Sequence, residues 1–127
     1  MSRENKKILI VDDSGMDVEV MTRHLREAGF KNIFSVQTGE ECLEKIKTDP
    51  PQIIILDTLL PGIDGFEVCR RIKACSGPAI KIIMLTGVIS AIDTKKARQS
   101  GTDEYVVKTP EYGFLLGVLE LLIENGK

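Results

Sequence analysis

One histidine, His24, and three cysteines, Cys42, Cys69 and Cys75, are all that this 127-residue chain offers to imidazole or thiolate chemistry. An odd number of widely spaced cysteines matches no zinc template, and nothing beside them signals a disulfide framework. All three fall in helix-compatible segments, where small, buried or half-buried residues are expected. His24 is expected on a helix surface, with no catalytic part. There is no basic block, and the net charge is −2, so direct nucleic-acid binding by this chain is not expected. Long apolar runs are missing too. The first, Ile8–Val11, holds four residues, too few for a membrane span or a signal-peptide core. Nothing marks export, so a cytoplasmic location is expected. Repeats, linkers and low-complexity stretches are also absent. With 43% hydrophobic and 28% charged residues, the composition is that of an ordinary globular domain, expected to span residues 1–127 as a single unit.

What is present is an alternation. Short apolar runs at residues 7–11, 33–36, 53–56, 80–85 and 105–107 are separated by amphipathic or helix-compatible segments at 16–28, 39–47, 66–74, 91–100 and 111–124. The run Ile53-Ile54-Ile55-Leu56 is short, β-branched and without polar alternation, which suits a strand buried on both faces. In the helical segments, Val18, Met21, Leu25 and Ala28 share one face; Leu43 and Ile46, then Cys69 and Ile72, point inward. Ser14 and Asp17, Thr38 and Glu41, Asp64 and Glu67, and Ser90 and Asp93 each pair a candidate N-cap with an acid three residues on. Thr109-Pro110 reads as a cap followed by proline in the first helical position. Strands alternating with helices imply parallel pairing through right-handed crossovers. The expected fold is α/β: a doubly wound, five-stranded parallel sheet of order 2-1-3-4-5 with helices on both faces, the flavodoxin-like arrangement.

The ends of these runs carry the chemistry. Asp12 and Asp13 follow the first, Asp57 the third, Thr86 the fourth and Lys108 the fifth. In the 2-1-3-4-5 order the first and third strands are neighbours, so their carboxylates converge at the topological switch point. Gathered acids raise one another's pKa unless a cation is present. Lys108 offsets one charge; a divalent metal offsets more, and hard oxygen ligands suit Mg²⁺. An ionised carboxylate can attack phosphorus with no general base, giving an aspartyl-phosphate. That reaction needs mainly in-line positioning and positive charge around the equatorial oxygens, with Thr86 able to donate one hydrogen bond.

In these residues the chain resembles the receiver domains of two-component response regulators. The likeness covers essentially all 127 residues. It is carried by Ile8-Leu-Ile-Val-Asp-Asp, by Asp57 with Pro61 and Gly65, by Met84-Leu-Thr-Gly87, and by Gly101-Thr-Asp-Glu-Tyr-Val-Val-Lys108. The resemblance implies that Asp57 accepts phosphate from a histidine kinase or phosphotransfer protein. It implies that Asp12, Asp13, Asp57 and the backbone carbonyl of Leu59 hold Mg²⁺. It also implies that Thr86 and Tyr105 relay phosphorylation to the face made by the fourth helix, fifth strand and fifth helix. Such a protein is a switch rather than an enzyme, catalysing only phosphotransfer to and hydrolysis from its own aspartate.

Two features depart from the family pattern. Proline usually follows the lysine directly through a cis bond; here Thr109 intervenes, and a trans Lys108–Thr109 bond is expected, because a cis non-proline bond costs about 3 kcal/mol. A trans, helix-starting Thr109–Pro110 bond is also expected. Leu59 and Val88 stand two residues after Asp57 and Thr86, where receivers tune access of the hydrolytic water. Two apolar side chains predict slow self-dephosphorylation; a phosphoryl half-life of seconds would contradict it.

On the last helix, Leu115, Val118, Leu119 and Leu122 are expected to cover the sheet. Leu116, Leu121, Ile123 or Tyr112 then stand partly outside, through edge burial or as a surface for a downstream protein or a second copy. The chain reads as either a stand-alone regulator or an excised receiver. Three rivals share features of this reading. A flavodoxin would want a hydroxyl- and glycine-rich anion loop where Asp12-Asp13 stands. An aspartyl-nucleophile phosphatase of the haloacid dehalogenase type would want an acid at Leu59. A receiver-shaped interaction scaffold without phosphorylation would find its support in the altered lysine loop.

Overall fold

A computed structural model describes residues 3–125. Five parallel strands, β1 (Ile8–Val11), β2 (Ile33–Val36), β3 (Ile53–Asp57), β4 (Lys81–Thr86) and β5 (Glu104–Val107), form one sheet of order 2-1-3-4-5. The helices are α1 (Gly15–Glu27), α2 (Gly39–Thr48), α3 (Gly65–Ser76), α4 (Ala91–Ser100) and α5 (Gly113–Asn125). Fold and strand order are those expected.

Strand period two divides the core cleanly. Ile8, Ile10, Ile53 and Ile55 face α1 and α5, packing with Met21, Leu25, Leu115 and Leu119. Leu9, Val11, Ile54 and Leu56 face α2, α3 and α4, packing with Cys42, Val68, Cys69, Ile72 and Ala97. Both faces of the central strands are therefore dry, which is why their sequences show no polar alternation. Strand β2, at the sheet edge, is half-buried at Ile33 and Val36 and exposed at Phe34 and Ser35.

All four expected N-caps form: Ser14, Thr38, Asp64 and Ser90 each accept a hydrogen bond from the backbone N–H three residues on. Among the described helices, only Thr38 and Glu41 close the reciprocal box, with Glu41 Oε1 accepting from the Thr38 N–H at 3.1 Å. Glu67 instead pairs with Arg70 and Arg71 along its own helix. Of the cysteines, Cys42 and Cys69 are buried, as expected, and burial pushes the Cys42 thiol up to about 12. Cys75 is exposed, because the last turn of α3 runs beyond the residues that face the sheet. His24 is half-buried, 3.7 Å from Glu27 and tilted against the Tyr112 ring.

The expected start of the last helix needs correction. Both Lys108–Thr109 and Thr109–Pro110 are trans, as expected, since no described peptide bond is cis. But Thr109 does not cap a helix: its carbonyl accepts from the Tyr112 N–H at 3.0 Å, closing a turn with Pro110 second. Helix α5 starts at Gly113, and the Tyr112 carbonyl takes its first bond, from the Leu116 N–H at 3.0 Å. Tyr112 has φ 54°, left-handed for a residue with a side chain, at a cost of about 1–2 kcal/mol. Burying its ring to 5% exposure offsets that cost. Tyr112 thus belongs to the core, contrary to expectation. Leu115, Val118, Leu119 and Leu122 do cover the sheet, with Leu116 and Ile123 packed beside them. The exposed apolar residues of α5 are Leu121, as anticipated, and Phe114.

Candidate phosphoacceptor and metal site

Register places the candidate residues. Val11 of β1 pairs with Leu56 of β3, so Asp12 and Asp57 leave adjacent strands side by side. Asp57 in turn pairs with Leu85, one residue before Thr86, and Thr86 pairs with Val107, one before Lys108. Backbone bonds extend the sheet to these positions: Asp12 N–H to the Val36 carbonyl (3.1 Å), Thr58 N–H to Leu85 (3.0 Å) and Lys108 N–H to Thr86 (2.7 Å). The carboxyl edge of the sheet therefore brings Asp12, Asp13, Asp57 and Lys108 together, with Thr86 at the end of the strand between those of Asp57 and Lys108.

Asp12 is buried; its Oδ1 accepts from the Ser14 N–H at 2.9 Å and its Oδ2 from Lys108 Nζ at 2.9 Å. Asp57, with a side chain 12% exposed, lies 3.6 Å from Lys108 Nζ and accepts from the Leu59 N–H at 3.3 Å. Asp13 is exposed at the mouth. Burial pushes the Asp57 carboxyl above its usual range; Lys108 pulls it down, and Asp12 and Asp13 push it up again. For Lys108, burial alone would lower the ammonium's pKa, but hydrogen bonds to Asp12 and Asp17 and the charges of Asp57 and Asp12 raise it overall. The lysine is firmly cationic while the central acid resists its charge.

The carboxylates of Asp12, Asp13 and Asp57 offer oxygens within 4.8 Å of one another. These hard donors, one of them at a solvent-facing mouth, fit a small oxygen-seeking cation that keeps part of its water shell, as Mg²⁺ does. The backbone of Leu59 reaches the site, while its side chain is 80% exposed; Val88 is likewise exposed. Thr86 is buried, and its hydroxyl donates to the Val88 carbonyl at 2.9 Å. Tyr105 packs against the α2–α3–α4 face of the core, and its hydroxyl is the one buried side-chain polar atom without a hydrogen-bond partner among the described residues.

Sequence reasoning missed one neighbour of this site. Asp17 reads as the acid of a capping pair, yet its Oδ2 lies 2.9 Å from Lys108 Nζ, across 91 residues of chain. An acid three residues after an N-cap has a sufficient local explanation, and no local pattern announces a long-range partner.

An open 2-1-3-4-5 sheet with acids and a lysine at its switch point defines the class: a flavodoxin-like α/β protein whose chemistry sits on its strand-end loops. Within that class, the family model of the response regulator receiver domain matches residues 8–119, and the chain belongs to that family. Similar curated proteins include the alkaline phosphatase synthesis transcriptional regulatory protein PhoP of Bacillus subtilis, 36% identical over 82% of this chain and 42% of that protein. Another is the DNA-binding response regulator MtrA of Mycolicibacterium smegmatis, 35% identical over 85% of this chain and 46% of that protein. The chain thus spans less than half the length of these two relatives. Among solved structures it is similar to the Thermotoga maritima response regulator TrrA in complex with Mg²⁺–BeF, with a TM-score of 0.83, 34% identity, and coverage of 92% of this chain and 98% of that one. The BeF3-activated DrrB receiver domain matches with a TM-score of 0.80, 30% identity, and coverage of 94% and 98%. No described helix is long and apolar enough to cross a membrane.

Proposed function

We propose that this receiver domain, taken as residues 1–127, is a phospho-accepting switch in which Asp57 takes a phosphoryl group from a histidine kinase or a phosphotransfer protein. The carrying observation is the site's charge arrangement: a half-buried nucleophilic carboxylate with a cationic lysine 3.6 Å away and two further carboxylates in oxygen-ligand range. An Asp57 oxygen attacks phosphorus, the new P–O bond forms, and the phosphorus–nitrogen bond of the phosphohistidine breaks, leaving the donor its electron pair. Asp12, Asp13, Asp57 and the Leu59 carbonyl would hold Mg²⁺, which supplies positive charge to the phosphoryl oxygens. Lys108 adds a charge-assisted hydrogen bond. Gly87 has no side chain to obstruct the approaching phosphate, and a Cβ built there would meet nothing within 4 Å.

The readout would run through Thr86 and Tyr105. The Thr86 hydroxyl, spent on the Val88 carbonyl in this structure, gains a far stronger acceptor in a phosphoryl oxygen and turns toward it. Tyr105, with its hydroxyl unpartnered, loses little by moving with its neighbours, since a buried orphan hydroxyl already costs about 1–3 kcal/mol. The α4–β5–α5 face then presents a different surface to a downstream protein or a second copy, with Ile92, Phe114 and Leu121 exposed on its helices. The only chemistry required is transfer to and hydrolysis from Asp57, and no other substrate is turned over.

Incubation with Mg²⁺ and a small acyl phosphate, read by intact mass, tests this directly. The native chain gains one phosphoryl group and Asp57→Ala gains none. Equal labelling of both, or of neither, overturns the assignment.

A further inference from the structure

We propose that Asp17 is a positioning residue that holds the Lys108 ammonium away from the Asp57 carboxylate and so keeps that carboxylate open to Mg²⁺ and to phosphorus; this rests on the function proposed above. Lys108 Nζ is 2.9 Å from Asp12 and 2.9 Å from Asp17, but 3.6 Å from Asp57. An ammonium has three protons. Two are given to the flanking acids, and the nucleophile receives only the ammonium's field.

The acids that hold the lysine are themselves anchored. Asp17 stands in the first turn of α1, where its backbone N–H donates to the Ser14 hydroxyl at 3.2 Å. The same loop fixes Asp12, whose Oδ1 accepts from the Ser14 N–H. Lys108 is tied at its backbone to the Thr86 carbonyl. Asp17 therefore draws the ammonium toward a fixed helix end, and with Asp12 it takes the two contacts at 2.9 Å while Asp57 is left at 3.6 Å. Freed of that pull, the flexible lysine side chain closes on Asp57 from 3.6 Å to hydrogen-bond distance, where it competes with the metal for the same oxygens.

Because the Asp17 side chain is 41% exposed and borders an open cleft of about 340 Å³ with Met16, Val20 and Tyr112, its truncation leaves no buried void. Asp17→Ala should fold.

The test compares Asp17→Ala, Asp17→Asn and Glu19→Ala, the last removing an acid from an exposed position of the same helix. Mg²⁺ affinity is measured by calorimetry and the phosphorylation rate with a small acyl phosphate. The ¹⁵N resonance of the Lys108 ammonium is followed in metal-free protein. Asp17→Ala is expected to weaken Mg²⁺ binding and slow phosphorylation by about tenfold each, the size expected for one charge-assisted hydrogen bond. It should also shift the ammonium resonance. Asp17→Asn, whose amide oxygen still accepts from the lysine, recovers most of the loss, and Glu19→Ala changes nothing.

Native-like Mg²⁺ affinity and an unmoved ammonium signal in Asp17→Ala overturn the proposal. Equal losses in Asp17→Ala and Glu19→Ala also overturn it, since they mark a general charge effect. If the native chain accepts no phosphoryl group, the function beneath it fails instead, while affinity and resonance still decide the positioning.

Discussion

Gly65→Ala should lower stability by about 3 kcal/mol, a fall in melting temperature of roughly 10 °C, and should weaken Mg²⁺ binding as well. Gly65 opens α3, and its N–H donates to the Thr58 carbonyl at 3.1 Å. A Cβ there would lie 2.9 Å from the Thr58 Cα and far inside contact distance of the Asp57 carbonyl oxygen. Both obstacles are backbone, so no side chain can turn aside. Either α3 retreats from the sheet, uncovering Val68 and Cys69, or the end of β3 shifts and takes Asp57 with it. Gly117→Ala is the contrast. In α5 a Cβ at this site meets nothing within 4 Å, and alanine is the better helix former by about 1 kcal/mol, so stability should rise. Thermal melts with and without Mg²⁺ check both; a Gly65→Ala protein with native stability would show that the close approach of α3 and β3 is not required.

Asp57→Asn should make the protein more stable at neutral pH, by about 1 kcal/mol or roughly 4 °C in melting temperature. The reason lies in the burial of the carboxylate. Its folded-state pKa is raised above the ordinary 3.8 by desolvation, with Asp12 and Asp13 adding to the rise against the pull of Lys108. A carboxyl raised in this direction keeps its proton longer in the folded than in the unfolded chain. Its contribution is therefore most favourable below the unfolded value and declines as pH rises through the folded one. At pH 7 the native state carries the whole cost, and asparagine removes it. The advantage of the variant should shrink toward zero as pH falls to about 4 and below.

Mg²⁺ should raise the melting temperature of the native chain, because the site proposed for it exists only in the folded state. It should do so far less for Asp57→Asn. A variant less stable than the parent at pH 7 would show that Lys108 outweighs the desolvation.

The strand ends were legible because each rule acted locally. Four apolar residues ending at Val11 lead straight to Asp12, and the run ending at Leu56 leads to Asp57. The alternation implies parallel strands but leaves more than one doubly wound order open; in the 2-1-3-4-5 order the first and third strands bring their ends together. The errors arose where a local pattern had two solutions. Thr109-Pro110 satisfies both a helix start and a turn; the turn prevailed because it lets Tyr112 swing its ring into the core between α1 and α5. Asp17 satisfies both a capping pair and a salt bridge, and only folding brings Lys108 to it. Cys75 follows the helical spacing of α3, yet the helix outlasts the sheet it covers. These misses share a cause: the deciding partner lies outside any window that periodicity can read.

Where phosphorus goes is the deciding measurement. After treatment with Mg²⁺ and a small acyl phosphate, peptide mapping should find a hydroxylamine-sensitive phosphoryl group on the peptide carrying Asp57, lost when the metal is chelated beforehand. A hydroxylamine-stable phosphate on a serine or threonine, a phosphoryl group mapped to the peptide carrying His24, or labelling that ignores the metal, would contradict it.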